Sequence, residues 1–278
     1  MNLHLAIQGA TTSERDVQRL AGLSGSRAIL RTGPTAFRLT DARPAPGIAR
    51  YCERARLDYG FVPENRRLAD MRLAVMDMDS TLITIECVDE IADMAGVKAE
   101  VSAITAAAMR GEIDYPESLQ RRVALLRGLE EGALQRVYDE RLRLSPGAET
   151  MLATMQAAGI KTLLVSGGFT FFTARLQQRL KLDYTASNTL EIANGKLTGK
   201  LLGAIVDAGA KAAKVREVRN ELRIGREALV AIGDGANDLE MMAEAGVSIA
   251  YRAKPVVRKK ADYALNYAGL DGVLNLFG

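Results

Sequence analysis

Apolar residues run through this chain in two rhythms. From Arg72 onward, short unbroken apolar runs (Leu73-Ala74-Val75-Met76, Leu163-Leu164-Val165, Val230-Ala231-Ile232) alternate with longer stretches of helical period. Strands without polar alternation are buried on both faces, so the pattern predicts a parallel sheet covered by helices, an α/β fold. The first 65 or so residues are choppier. Residues 2–7 and 36–39 read as short strands and 14–23 as a helix, while Pro44 and Pro46 interrupt the pattern. A small N-terminal α/β domain at 1–68 is expected in front of a larger one at 69–278.

Between about 88 and 144 no strand signal occurs. Helical runs at 88–95, 97–109, 116–126 and 130–142 predict a helical cap inserted behind the first core strand. Pro116 suits a first helical turn, where its missing N–H has no partner to lose. Sheet architecture resumes with a helix at 148–158, Gly159 as its stop, and a strand at 161–165. Residues 189–193 and 196–200 flank Asn194-Gly195, a strong hairpin signal. A helix at 210–222, a strand at 228–232, a helix at 239–245 and closing strands at 247–251 and 263–265 complete the pattern.

Composition narrows the function classes. A chain of 278 residues that is 48% hydrophobic and 26% charged reads as ordinary globular protein, in one large domain or two modest ones. With a net charge of +3, and Arg258-Lys259-Lys260 as its densest basic run, it gives no reason to expect a nucleic-acid partner. No apolar stretch approaches a membrane span and no signal peptide pattern opens the chain. Cys52 and Cys87 are the only cysteines, which argues against a disulfide framework and for a reducing, cytoplasmic setting. The one histidine, His4, is far in sequence from every motif below, which argues against Ser-His-Asp triads and His-ligated zinc. Acid–base work then falls to carboxylates, Lys, Tyr or Cys. A homodimer stays open, because nothing in the sequence speaks to oligomeric state.

Three apolar strands end in polar residues, and these ends carry the chemistry. Behind the first comes Asp77-Met78-Asp79-Ser80-Thr81. One carboxylate at such a place can attack phosphorus while its neighbour moves the proton, provided a cation bridges nucleophile and phosphate. Mg2+ suits that task, since it prefers oxygen ligands and sits between carboxylates and phosphate. The blander reading is that these residues cap the next helix. Ser166 and Gly167 close the second strand and offer a hydroxyl and an N–H to phosphate oxygens. On the third, Asp234 offers an acidic metal ligand between Gly233 and Gly235, whose small size lets backbone approach closely. Asn237 and Asp238 read as caps of the following helix, with Asp238 open to a second role. Lys211 is the natural counter-charge to phosphate, and Lys214 one turn on is not separated from it by spacing alone.

Taken together, these motifs resemble the haloacid dehalogenase superfamily of phosphohydrolases over about residues 70–278; with Glu86 and the segment 109–126, which holds Arg121-Arg122-Val123-Ala124-Leu125-Leu126, they resemble within it the phosphoserine phosphatase family. The resemblance implies a Rossmann-like parallel sheet with a helical cap at about 88–144. It implies Mg2+-dependent hydrolysis of O-phospho-L-serine through an aspartyl-phosphate, the last step of serine biosynthesis. Asp77 would be the nucleophile and Asp79 the general acid/base. Asp77, the main-chain carbonyl of Asp79 and Asp234 would hold the metal. Glu86 would face the substrate ammonium, Arg122 its carboxylate, and Ser166, Gly167, Lys211 and Asn237 the phosphate. Met109 and Tyr115 would form an apolar wall against water. The first 65 residues are similar in layout to a small amino-acid-binding regulatory module. Two other tasks stay open: transfer of the phosphoryl group to an alcohol such as homoserine, and non-catalytic amino-acid sensing.

Overall fold

Four antiparallel strands open the chain in a computed structural model that describes residues 2–278. They are β1 (Leu3–Gln8), β2 (Ala28–Arg31), β3 (Ala36–Thr40) and β4 (Asp58–Pro63), in the order β2-β3-β1-β4. Helices α1 (Glu14–Ser24) and α2 (Ile48–Ala55) pack on this sheet around Leu5, Ile7, Leu20, Leu39, Ile48 and Cys52. Ser13 and Asp16 form a reciprocal capping box at the start of α1. Beyond the expected elements, the sheet gains β2, α2 and β4. Asp58 and Gly60 look like turn residues in sequence. They are strand residues because they pair with Gln8 and Ala6 of β1, and the Asp58 carboxylate accepts the N–H groups of Asn266, Tyr267 and Ala268 at 2.6, 2.9 and 2.8 Å, which ties β4 to the loop after the last strand.

The second sheet has seven strands: β5 (Leu73–Met76), β6 (Lys161–Phe169), β7 (Tyr184–Ala193), β8 (Lys196–Leu202), β9 (Leu229–Gly233), β10 (Val247–Tyr251) and β11 (Tyr263–Leu265). Their order is β11-β10-β9-β5-β6-β7-β8, parallel except for β8. Both faces of β5 are covered. Ala74 and Met76 join one hydrophobic cluster while Leu73 and Val75 join the other, which is why the run shows no polar alternation. Strand order reverses at β5, which is bonded to β6 on one side and β9 on the other. In open α/β sheets such a reversal opens a crevice at the carboxyl ends of the strands.

Helices α3 (Cys87–Met94), α4 (Lys98–Met109), α5 (Tyr115–Ala124) and α6 (Gly132–Arg136) make the insertion after β5. The chain enters and leaves it side by side: Thr84 donates to the Arg143 carbonyl at 2.9 Å and Ser145 to that of Leu82 at 2.9 Å. The helix expected at 130–142 is shorter. After α6 the backbone loosens into a wide turn over Val137–Arg141, where Arg141 is drawn off to Glu90 and Asp93 at 2.5 Å each.

Helices α7 (Ala148–Ala157), α8 (Thr170–Leu180), α9 (Ala208–Leu222), α10 (Leu239–Ala243) and α11 (Pro255–Arg258) complete the layers. Asn194 and Gly195, both at positive φ, turn β7 into β8 as the sequence anticipates. Among the described residues no helix is long and apolar enough to cross a membrane.

Candidate active site

The backbone leaves β5 in a wide turn. Leu82 and Ile83 donate to the carbonyls of Asp77 and Met78, five residues back, and Ser80 takes a left-handed φ of 56°. A non-glycine residue there is strained, and such strain clusters at functional sites. Its effect is to aim Asp77 and Asp79 into the crevice together. Asp79 Oδ1 accepts the N–H of Cys87, the first residue of α3, at 2.8 Å, and its Oδ2 accepts the Ser166 hydroxyl at 3.2 Å.

Lys211 is 1% exposed and joins two of the strand ends. Its ammonium donates to Asp77 Oδ1 and, at 2.8 Å, to Asp238 Oδ1. Lys214 instead pairs with Glu217 on the outer side of α9, so the structure separates the two lysines. Asp238 Oδ2 accepts the N–H groups of Asp234 and Gly235 at 3.1 and 3.0 Å, so it shapes the loop and also meets the lysine. Gly233 permits this: a Cβ there would fall 2.6 Å from the Asp238 side chain. Carboxylate oxygens of Asp77, Asp234 and Asp238 lie within 4.8 Å of one another. The Asp79 carboxylate is not part of that cluster.

Charges set what this cluster can hold. Burial, then the neighbouring Asp238, holds the Asp77 carboxyl well above the usual carboxylate range. Burial also raises Asp79, and burial followed by Asp238 pushes Asp234 up to about 6. Burial would lower Lys211, yet Asp77 and Asp238 outweigh it and keep the ammonium charged. One ammonium among three close carboxylates leaves excess negative charge in a low-dielectric place. A divalent cation with a preference for oxygen would relieve it, so the residues present fit a metal.

Above this floor lies a pocket of about 440 Å³ lined by Asp77, Asp79, Asp234, Gly167 and Asn237 from the sheet and by Glu86, Tyr115 and Arg122 from the insertion. Ser166 and Lys211 sit just behind that lining, bonded to residues that form it. Glu86 accepts the Ser80 hydroxyl at 2.6 Å. It retains solvent-exposed surface, but dense protein around its carboxyl and then the charge of Asp79 push it up to about 7. Arg122 donates only to the Ser118 carbonyl of its own helix, at 3.3 Å, leaving its terminal nitrogens free for a ligand. Met109 also lines this pocket, at its rim, where it is 64% exposed with its sulfur 3.7 Å from Lys254 Nζ. Tyr115 does close over the site, half-buried, with its hydroxyl donating to the Gly167 carbonyl at 3.1 Å.

A model of the haloacid dehalogenase-like hydrolases matches residues 74–243. A phosphoserine phosphatase of Polaromonas is 55% identical over 215 residues, covering 76% of this chain and 91% of the relative. The chain belongs to the haloacid dehalogenase-like hydrolases, in the phosphoserine phosphatase family. A haloacid dehalogenase family hydrolase from Salmonella enterica serovar Typhi has the same fold over nearly the full length, with a TM-score of 0.88 at 34% identity, covering 99% of this chain and 98% of that one. A substrate-bound phosphoserine phosphatase superposes with a TM-score of 0.70 at 36% identity, covering 75% of this chain and 99% of that one.

Two further residues of this haloacid dehalogenase-like site were not anticipated from the sequence. Thr81 is fully buried and its hydroxyl donates to Asp234 Oδ1 at 3.2 Å, linking the first motif to the last. Ser80 is the donor to Glu86. Both stand in the motif already noticed, but only the turn geometry gives their side chains a direction.

Proposed function

We propose that this protein hydrolyses O-phospho-L-serine to L-serine and phosphate, using Asp77 as nucleophile and Mg2+ as cofactor. The observation that carries the reading is the buried Asp77, Lys211 and Asp238 with the half-buried Asp234, beneath a pocket whose upper face presents Glu86 and Arg122.

Asp77 attacks phosphorus in line: the new bond is between its carboxylate oxygen and phosphorus, and the seryl oxygen–phosphorus bond breaks. Asp79, its carboxyl raised above the usual range by burial, gives a proton to the departing seryl oxygen. It then takes a proton from the water that cleaves the aspartyl-phosphate and returns Asp77. Lys211 offsets the charge on the phosphoryl oxygens, while Ser166, Gly167 and Asn237 hold them in place. Asp77, the Asp79 main-chain carbonyl and Asp234 would hold Mg2+, which when bound screens the repulsion between carboxylate and phosphate.

Substrate choice rests on opposite charges placed on one wall. Glu86 meets the ammonium of a zwitterionic amino acid and Arg122 grips its carboxylate, with two parallel hydrogen bonds available to a guanidinium. Phosphate release from phosphoserine, phosphothreonine and simple sugar phosphates, with Mg2+ and with chelator, tests the reading. Efficient release from phosphoserine that vanishes with chelator is expected. No release from phosphoserine under any of these conditions would sink it, and phosphate passed to an added alcohol would redirect it to transfer.

A further inference from the structure

The β6–β7 ladder breaks beside the site. Val165 pairs with Ala186 and Phe169 with Asn188, so four steps along β6 correspond to two along β7. A bulge of this kind takes backbone groups out of the ladder and re-aims them. At Gly167, side chains serve in place of strand partners. Its carbonyl accepts Nδ2–H of Asn188 at 2.8 Å and the Tyr115 hydroxyl at 3.1 Å. Asn188 is 2% exposed, and its Oδ1 accepts the N–H of Val206 at 2.8 Å. The next residue, Asp207, caps α9, and its own carbonyl receives the N–H of Lys211 at 2.9 Å.

We propose that Asn188 is a positioning residue for phosphoryl transfer, clamping the Ser166-Gly167 turn to the loop that delivers Lys211. The inference rests on the hydrolase reading above. A peptide is planar, so aiming the Gly167 carbonyl also aims the Gly168 N–H on the opposite side. That N–H donates to Ser166 Oγ at 2.8 Å, and the Ser166 hydroxyl in turn reaches Asp79 at 3.2 Å. One buried amide thereby orients the phosphate-facing hydroxyl, the partner of the proton-transferring carboxylate, and the approach to the buried lysine. Tyr115 belongs to the insertion and Asn188 to the sheet.

Two variants separate the bonds. Asn188→Asp keeps the size and the acceptor for Val206 but turns an oxygen toward the Gly167 carbonyl, and Asn188→Ala removes both bonds. In each, kcat on phosphoserine should fall roughly 10–100-fold, the scale of a displacement of about 1 Å, with KM near the parental value. Because the two donors share one acceptor, Tyr115→Phe should cost more in the Asn188→Ala background than alone, a coupling that a merely structural residue would not produce. If Asn188→Ala does not fold, the near-isosteric Asn188→Asp carries the test. Variants within about twofold of the parent, or losses confined to KM, overturn the proposal while leaving the hydrolase reading intact. A parent that releases no phosphate overturns that reading first, and this inference with it.

Discussion

The floor of the crevice and the wall above it are held in opposite ways. On the floor, Asp77, Lys211 and Asp238 are nearly sealed from solvent and bonded to one another. On the wall, Glu86 has one hydroxyl donor and Arg122 touches only its own helix. Floor groups are preorganised by the protein, which is how electrostatic catalysis avoids reorganisation during the reaction. Wall groups keep their charges unanswered until a ligand arrives. On the proposed function, chemistry is therefore built into the sheet, and selection into the insertion.

The largest test of that contrast is Asp77→Asn. It should lower phosphate release from every monoester alike, by roughly 10⁴-fold or more, with circular dichroism unchanged. Near-parental turnover would remove the floor from the chemistry altogether. Lys211→Met should be the most damaging change to stability. It leaves carboxylates buried without their counter-charge, at a cost of roughly 3–5 kcal/mol in urea unfolding with chelator present. Added Mg2+ should restore part of the loss, and equal stability of parent and variant in chelator would mean the ammonium is not what holds the floor together.

Arg122→Ala addresses the wall. Losing charge-assisted hydrogen bonds to a carboxylate should reduce kcat/KM on phosphoserine by roughly 10–100-fold. A plain aryl phosphate, which has no carboxylate, should be nearly unaffected. Equal losses on both substrates would show that wall and floor are not separable.

Two pH effects are smaller. Asp234 near 6 lies above its ordinary 3.8, so its contribution to the stability of the metal-free protein falls as pH rises from about 3.8 through 6. A cation needs the deprotonated form, so Mg2+ affinity, read by calorimetry, should weaken as pH drops below about 6. Glu86 near 7 lies above its ordinary 4.5, so its own contribution is lost between about 4.5 and 7. Glu86→Gln should accordingly raise the melting temperature of the ligand-free protein at pH 8 and leave it unchanged near pH 4. A pH-independent difference would mean that the Glu86 carboxyl is not the group responsible.

How much of this was legible depends on how local the signal is. Strands β5, β6 and β9 were readable because burial on both faces writes itself into unbroken apolar runs. The Asn194-Gly195 hairpin was readable because its dihedral requirement is met by two adjacent residues. By contrast, β4 was hidden, since Asp58 and Gly60 look like turn residues and are held in a strand by β1, some 50 residues earlier, and by amides more than 200 residues later. The exposure of Met109 at the pocket rim was hidden for a related reason: an apolar side chain on a helix says nothing about which way the helix end will face.

By itself, the sequence determined the α/β class, the insertion behind the first core strand, and the acidic, hydroxyl and lysine side chains at the strand ends. Periodicity and residue chemistry are local properties and survive in one dimension. Tertiary structure alone decided that Lys211 rather than Lys214 meets Asp77, that Asp238 serves both the loop and the lysine, and that Asn188 grips the bulge. Those choices depend on distances between segments far apart in the chain, and on burial, which sets the strength of each charge and exists only once the sheet has closed.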